Sequence, residues 1–127
     1  MADLLVETKL LLPRVRRDTV ARPRLDELLD RAVDAPVTVV SAPAGFGKTT
    51  LLSARIATWL AAPVAGDEVR SAAWVSLNDR DRQPGSYWNY VLHAIERAAP
   101  GSAVAALALL QSGQASIDAV LASVVNE

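Results

Sequence analysis

Leu25, Leu28, Leu29 and Ala32 recur at i, i+3, i+4 and i+7, with Pro23 just ahead at a position that favours helix opening. This spacing predicts a helix that stops before Pro36. The run Val37-Thr38-Val39-Val40 is short, β-branched and bounded by Pro36 and Pro43, which predicts a buried parallel strand. A glycine-containing turn over 42–47 leads into a second helix, with Leu52, Ile56, Trp59 and Leu60 at helical spacing and an end near Pro63. Gly66-Asp67-Glu68 reads as a surface turn, 72–77 as a second strand of the buried type, and 78–85 as a polar loop. Trp88, Val91, Leu92 and Ile95 mark a third helix that stops before Pro100-Gly101. A short helix over 103–110 follows. The last starts after Ser116, with Ile117, Val120, Leu121 and Val124 as its stripe, and reaches Asn126-Glu127 without a stop signal.

Residues 1–20 show no sustained period and carry Pro13 among several arginines, so they read as an irregular arm ahead of a body over 21–127. Strand, helix, strand, helix in this order is α/β grammar. There is no internal repeat and no low-complexity linker.

Composition narrows the function classes. A chain of 127 residues is one domain's worth at most, and 51% hydrophobic with 21% charged residues argues against a disordered or fibrous polypeptide. The lack of cysteine removes disulfide scaffolds, thiolate metal sites and cysteine nucleophiles, and leans towards a reducing, cytoplasmic setting. Thirteen basic against fourteen acidic side chains give a net charge of -1, so no overall field draws the chain to nucleic acid or membrane. Asp3, Glu7 and Lys9 break up any secretory signal. The uncharged run 98–117 is interrupted by Pro100, Gly101, Gln111, Gly113 and Gln114, and its apolar centre is far short of the roughly 20 residues a membrane span needs.

Ser41 to Thr50 reads SAPAGFGKTT. From Ala42 it fits the phosphate-binding pattern of a small residue, a four-residue spacer and Gly-Lys-Thr, with Ala in place of the usual first Gly. Gly45 and Gly47 allow backbone conformations closed to other residues and a close approach to a ligand. The N–H groups of Ala44, Gly45, Phe46, Gly47, Lys48, Thr49 and Thr50 can then converge on phosphate oxygens, at the positive end of the helix that begins there. Lys48 would reach the β- and γ-phosphates as a point charge. The Thr49 hydroxyl would ligate Mg²⁺, and Thr50 would touch the α-phosphate. The bland alternative is a glycine-rich loop with an incidental lysine, but the expected strand before and amphipathic helix after are the context the motif requires. Nucleoside triphosphate binding is the expectation.

SAPAGFGKTTLL is preceded by TKLLLPRVRRDTVARPRLDELLD and followed by AAWVSLNDRDRQPGSYWNYVLHAIERAAPG. With that motif order from about Leu5 to Glu127, the chain resembles the start of the MalT-like, LuxR-type large ATP-binding transcriptional regulators, which are STAND-class P-loop ATPases. The resemblance implies an additional-strand P-loop fold, a parallel sheet with flanking helices. It also implies a switch that holds ADP at rest, exchanges it for ATP and then self-associates to activate transcription. Lys48 is then the catalytic lysine of a slow ATPase. The segment before the first strand contributes to the adenine side, and Val20 and Arg22 are the matching positions, with Arg24 beside them.

The resemblance stops short in three respects. The acidic Mg²⁺-binding strand, the inducer-sensing repeats and the C-terminal helix-turn-helix have no counterpart in these residues, so DNA binding is assigned to none of them. The fold is therefore expected to be incomplete and marginally stable alone, because the two visible strands are not neighbours in that sheet order. A non-hydrolysing nucleotide-binding or interaction module is the alternative reading.

The remaining candidates have simpler readings. Arg14, Arg16, Arg17, Arg22 and Arg24 lack aromatic interleaving, so a solvated arm, or one folded over the nucleotide and paired with Asp26, Glu27 and Asp30, is preferred over a nucleic-acid contact. Asp79 and Asp81 flank Arg80 and Arg82 in a polar loop, where a cap or salt bridge is preferred over a paired-carboxylate site. His93 has no second ligand and reads as a partly exposed helix residue. Trp59, Trp74 and Trp88 read as core packing rather than base stacking.

Overall fold

The computed structural model describes residues 5–126; residues 1–4 of the predicted arm and Glu127 at the end of the last predicted helix lie outside the described residues. The helices form where the apolar spacing places them. They are α1 (Pro23–Ala32), α2 (Lys48–Ala61), α3 (Pro84–Ala98), α4 (Val104–Ser112) and α5 (Ile117–Val125), with 3-10 turns over Glu7–Leu10 and Asp79–Arg82.

The expected α/β parallel sheet is overturned: no strand forms among the described residues, and helices are the only regular elements. Residues 37–40 and 72–77 have no ladder partner. A strand exists only through its neighbours, because an extended backbone leaves every N–H and C=O unpaired until another strand supplies the partner. Burial, the other premise of the expectation, fails as well, since Val37 and Val39 are 78% and 82% exposed.

Two compact units divide the chain. One joins the N-terminal residues up to Leu12 with those from Ser71 onward, and α3 is its centre. Leu92 on one face packs with Ala103, Ala106 and Val120, flanked by Ile95, Leu107, Leu110 and Val124. Tyr90 and Ala94, one turn apart on another face, pack with Leu10, Leu5 and Val75. The stripe expected for α3 accounts for the first cluster. It misses the second, which exists because the 3-10 turn Glu7–Leu10 brings Leu10 against α3. Part of the expected irregular arm is therefore core.

The ends of these helices are closed by side chains. Glu96 of α3 accepts from the N–H of Gly101 at 2.6 Å and of Ala103 at 2.8 Å, which caps the start of α4 where Ala103 offers no side-chain acceptor. Those two N–H groups, Gly101 first, hold the Glu96 carboxyl below its ordinary value. Gly113 takes the left-handed conformation (φ 68°) that ends α4. Ser116 Oγ accepts from Ala119 N–H at 3.2 Å and opens α5.

The other unit runs from Pro13 to Arg70 and contains α1 and α2. Its only buried residue is Ser53 of α2, and α1 buries none. The apolar stripe of α1 is real, but Leu28 remains 51% exposed. Asp30 of α1 pairs with Arg55 of α2. Arg70 lies over the Trp59 ring at 5.1 Å and donates to the Trp59 carbonyl at 2.8 Å.

Candidate functional site

The glycine-rich loop folds as a turn that feeds α2. Phe46 N–H donates to Pro43 C=O at 3.4 Å, and Gly45 (φ 87°) and Gly47 (φ 79°) take the left-handed conformation. The first backbone bond of the helix runs from Leu51 N–H to Gly47 C=O at 2.9 Å. The N–H groups of Lys48, Thr49 and Thr50 therefore have no intrahelical acceptor and end in a positive dipole. Lys48 Nζ folds back over the loop and donates to the Ala42 and Pro43 carbonyls. The ammonium thereby offsets the carbonyl dipoles at the loop entrance.

The loop lines a cavity of about 580 Å³. Ala44, Gly45, Phe46, Gly47, Lys48, Thr49 and Thr50 all face it, together with Pro13, Arg14, Arg16 and Ser53. The structure thus brings together every residue of the expected phosphate set. No carboxylate is among the lining residues.

Val20 and Arg22 fall beside a second cavity of about 290 Å³, with Gly47, Thr50, Leu51 and Ala54 of the loop and α2, and Asp26 of α1. Gly47, Thr50 and Arg16 border both cavities. Arg22 Nη1 donates to the Phe46 carbonyl at 3.4 Å, so the segment before α1 is tied to the loop. Val20 is 76% exposed. Arg24 borders neither cavity.

Asp18, which borders the smaller cavity, was not singled out in the sequence, whereas Arg14, Arg16 and Asp26 entered only as parts of a basic arm and an acidic helix face. The signal available was the cluster of arginines beside an acidic helix face. The pairing that one of the two readings of the arm required does not form among the described residues: Asp30 pairs instead with Arg55.

The other polar candidates are structural. Asp81, 4% exposed, accepts from Lys9 Nζ at 2.7 Å and from Asn78 N–H at 2.9 Å, while Asn78 Oδ1 accepts from Arg80 N–H at 2.9 Å. These bonds box in the 3-10 turn. The Lys9 ammonium, then the Asn78 N–H, hold the Asp81 carboxyl below its ordinary range. Asp79 pairs with Arg82 at 2.9 Å on the surface. His93 is half-buried, with Nδ1 2.7 Å from the Asn89 carbonyl. Among the described residues, no group of three His, Asp or Glu could hold a metal ion, and no helix is long and apolar enough to cross a membrane.

Comparison with known proteins gives one consistent result. The HTH-type transcriptional regulator MalT of Serratia proteamaculans (strain 568) is 34% identical over 125 residues, 98% of this chain and 13% of the relative. MalT of Cronobacter sakazakii is 31% identical over the same 98%, and MalT of Vibrio cholerae serotype O1 is 33% identical over 73% of the chain. The chain spans about an eighth of the first relative's length, 13%. No family model and no solved structure matches it.

Proposed function

We propose, from the premise that the chain belongs to the MalT-like sequence family, that it is the nucleotide-binding segment of a transcription regulator. The observation that carries this reading is a cavity bordered by a glycine-rich loop, the free N–H groups of the α2 first turn and Lys48, with no carboxylate to repel an anion.

Each residue has a part in binding ATP or ADP. Lys48 exchanges its two carbonyl acceptors for phosphate oxygens. Gly45 and Gly47 keep the loop backbone open to the anion. The N–H groups of the α2 first turn donate to it. The cavity holding Val20, Arg22, Leu51 and Ala54 takes the nucleoside, with Gly47 and Thr50 at the junction. Mg²⁺ fits as an ion carried in on the phosphates, with the Thr49 hydroxyl as its protein ligand. When bound, the ion neutralises phosphate charge. Regulation of transcription, self-association and contact with DNA are then properties of a whole protein resembling its relatives.

A second reading is favoured by one observation. Because no carboxylate lines the phosphate cavity, these residues include no general base there to activate an attacking water. Binding without hydrolysis is the activity proposed for the chain itself.

Titration of Mg-ATP against the chain and a Lys48→Ala variant tests the proposal. The variant should bind at least about tenfold more weakly, the loss of one charge-assisted contact. Equal affinity overturns the nucleotide reading. Phosphate release by the chain above the Lys48→Ala background overturns the non-hydrolysing one.

A further inference from the structure

The two cavities differ in charge in a way the glycine-rich loop does not explain. The smaller one is balanced, with Arg16 and Arg22 against Asp18 and Asp26. The larger is wholly cationic, with Arg14 and Arg16 on its wall besides Lys48. Both arginines come from the arm, more than twenty residues before the loop, and both are exposed. Neither pairs with a carboxylate among the described residues. Arg16 is held in place by a turn: its carbonyl accepts from the Thr19 hydroxyl at 2.6 Å and from Thr19 N–H at 3.3 Å.

Resting on the nucleotide reading above, we propose that Arg14 and Arg16 form a second cationic wall that recognises the terminal phosphates. They would make the segment selective for triphosphate over diphosphate. Gly47, Thr50 and Arg16 mark the border shared with the smaller cavity, whereas Arg14, the rest of the loop and Lys48 line the larger one alone. A further phosphate extends the anion into the space that Arg14 and Arg16 border. A guanidinium gives paired N–H donors to phosphate oxygens, which suits this task better than a point charge. The balanced cavity, with acidic acceptors and the apolar Val20, Leu51 and Ala54, suits the uncharged nucleoside.

The test measures ATP and ADP affinity, each with Mg²⁺, for the whole chain and for three variants: Arg14→Ala with Arg16→Ala, the same pair as Arg→Lys, and Lys48→Ala. The double alanine variant should lose about tenfold or more in ATP affinity and a clearly smaller factor in ADP affinity, because Arg16 also borders the smaller cavity. Its ATP affinity should also depend less steeply on salt than that of the parent chain. The double lysine variant should recover part of the ATP affinity. Circular dichroism of each variant confirms that helix content is unchanged. An equal loss for ATP and ADP, or no loss while Lys48→Ala weakens both, overturns the wall and leaves the nucleotide site intact. Failure of the parent chain to bind either nucleotide overturns the nucleotide reading and the wall with it.

Discussion

Lys9 and Asp81 lie 72 positions apart in the chain, and Lys9 Nζ donates to Asp81 Oδ2 at 2.7 Å. The carboxylate is 4% exposed and also accepts from Asn78 N–H, while the ammonium stands 4.7 Å from the centre of the Tyr90 ring. This pair closes the N-terminal 3-10 turn onto the turn that precedes α3. Removing one member leaves the other charge without its partner, which is where the cost of a buried ion pair falls. Asp81→Ala should therefore lower the thermal midpoint more than Asp79→Ala, whose carboxylate is 91% exposed and pairs only with Arg82. Equal shifts in the two melts would count against this role.

Acid sensitivity follows from the same unit. The Asp81 carboxyl lies below its ordinary value of 3.8, held chiefly by Lys9, and Glu96 lies below 4.5, held by Gly101 and Ala103 N–H groups. The unfolded chain takes up these protons at higher pH than the folded one. Their stabilisation is thus complete above the ordinary values and is lost as pH falls through the lowered folded ones. Urea melts between pH 6 and pH 3 should show this decline (about the carboxylate range). A Glu96→Gln chain should show a shallower one.

Core and surface positions of similar chemistry should separate sharply. Leu92 is 1% exposed and touches Ala103, Ala106 and Val120. Leu92→Ala should cost about 2–5 kcal/mol, the transfer and cavity terms together. Leu28→Ala, on the half-exposed stripe of α1, should cost far less, within about 0.5 kcal/mol if the site acts as ordinary surface. Urea unfolding followed by circular dichroism compares the two.

At Gly47 the backbone sets the outcome rather than crowding. Its φ is +79°, and a Cβ would meet only the end of the Arg22 side chain, at 3.8 Å. Gly47→Ala should strain the loop by about 1–2 kcal/mol. Through the remodelled loop it should weaken nucleotide binding about tenfold. Gly85→Ala, with nothing within 4 Å and an ordinary backbone conformation, is the control.

Burial predicts where amide exchange is slow. All the buried hydrophobic residues lie in the unit formed by the N-terminal turn and α3 to α5, whereas α1 buries none and α2 only Ser53. Without ligand, the amides of α1 and α2 should exchange much faster than those of α3. Adding Mg-ATP should slow exchange in the first turns of α2, and uniform protection across both units would contradict the division.

All five α-helices were legible because a helix satisfies its own backbone, so local apolar spacing and caps suffice to specify it. Pro23, Ser116 and the Leu92–Ile95 stripe acted as the spacing indicated. The turn ahead of α2 is likewise set by a few neighbouring residues, and Ala44 to Thr50 line one cavity.

The parallel sheet was misread because strand propensity at 37–40 and 72–77 is a statement about neighbours that these residues do not provide for one another. Local sequence also could not show that Leu10 would be core or that Lys9 would reach Asp81, and it left open whether Arg14 and Arg16 would be solvated or border the loop cavity. The sequence by itself determined what contacts within one turn of helix or one tight loop can specify. Tertiary structure alone decided which distant residues share a cavity or an ion pair, because those contacts depend on how the connecting chain closes.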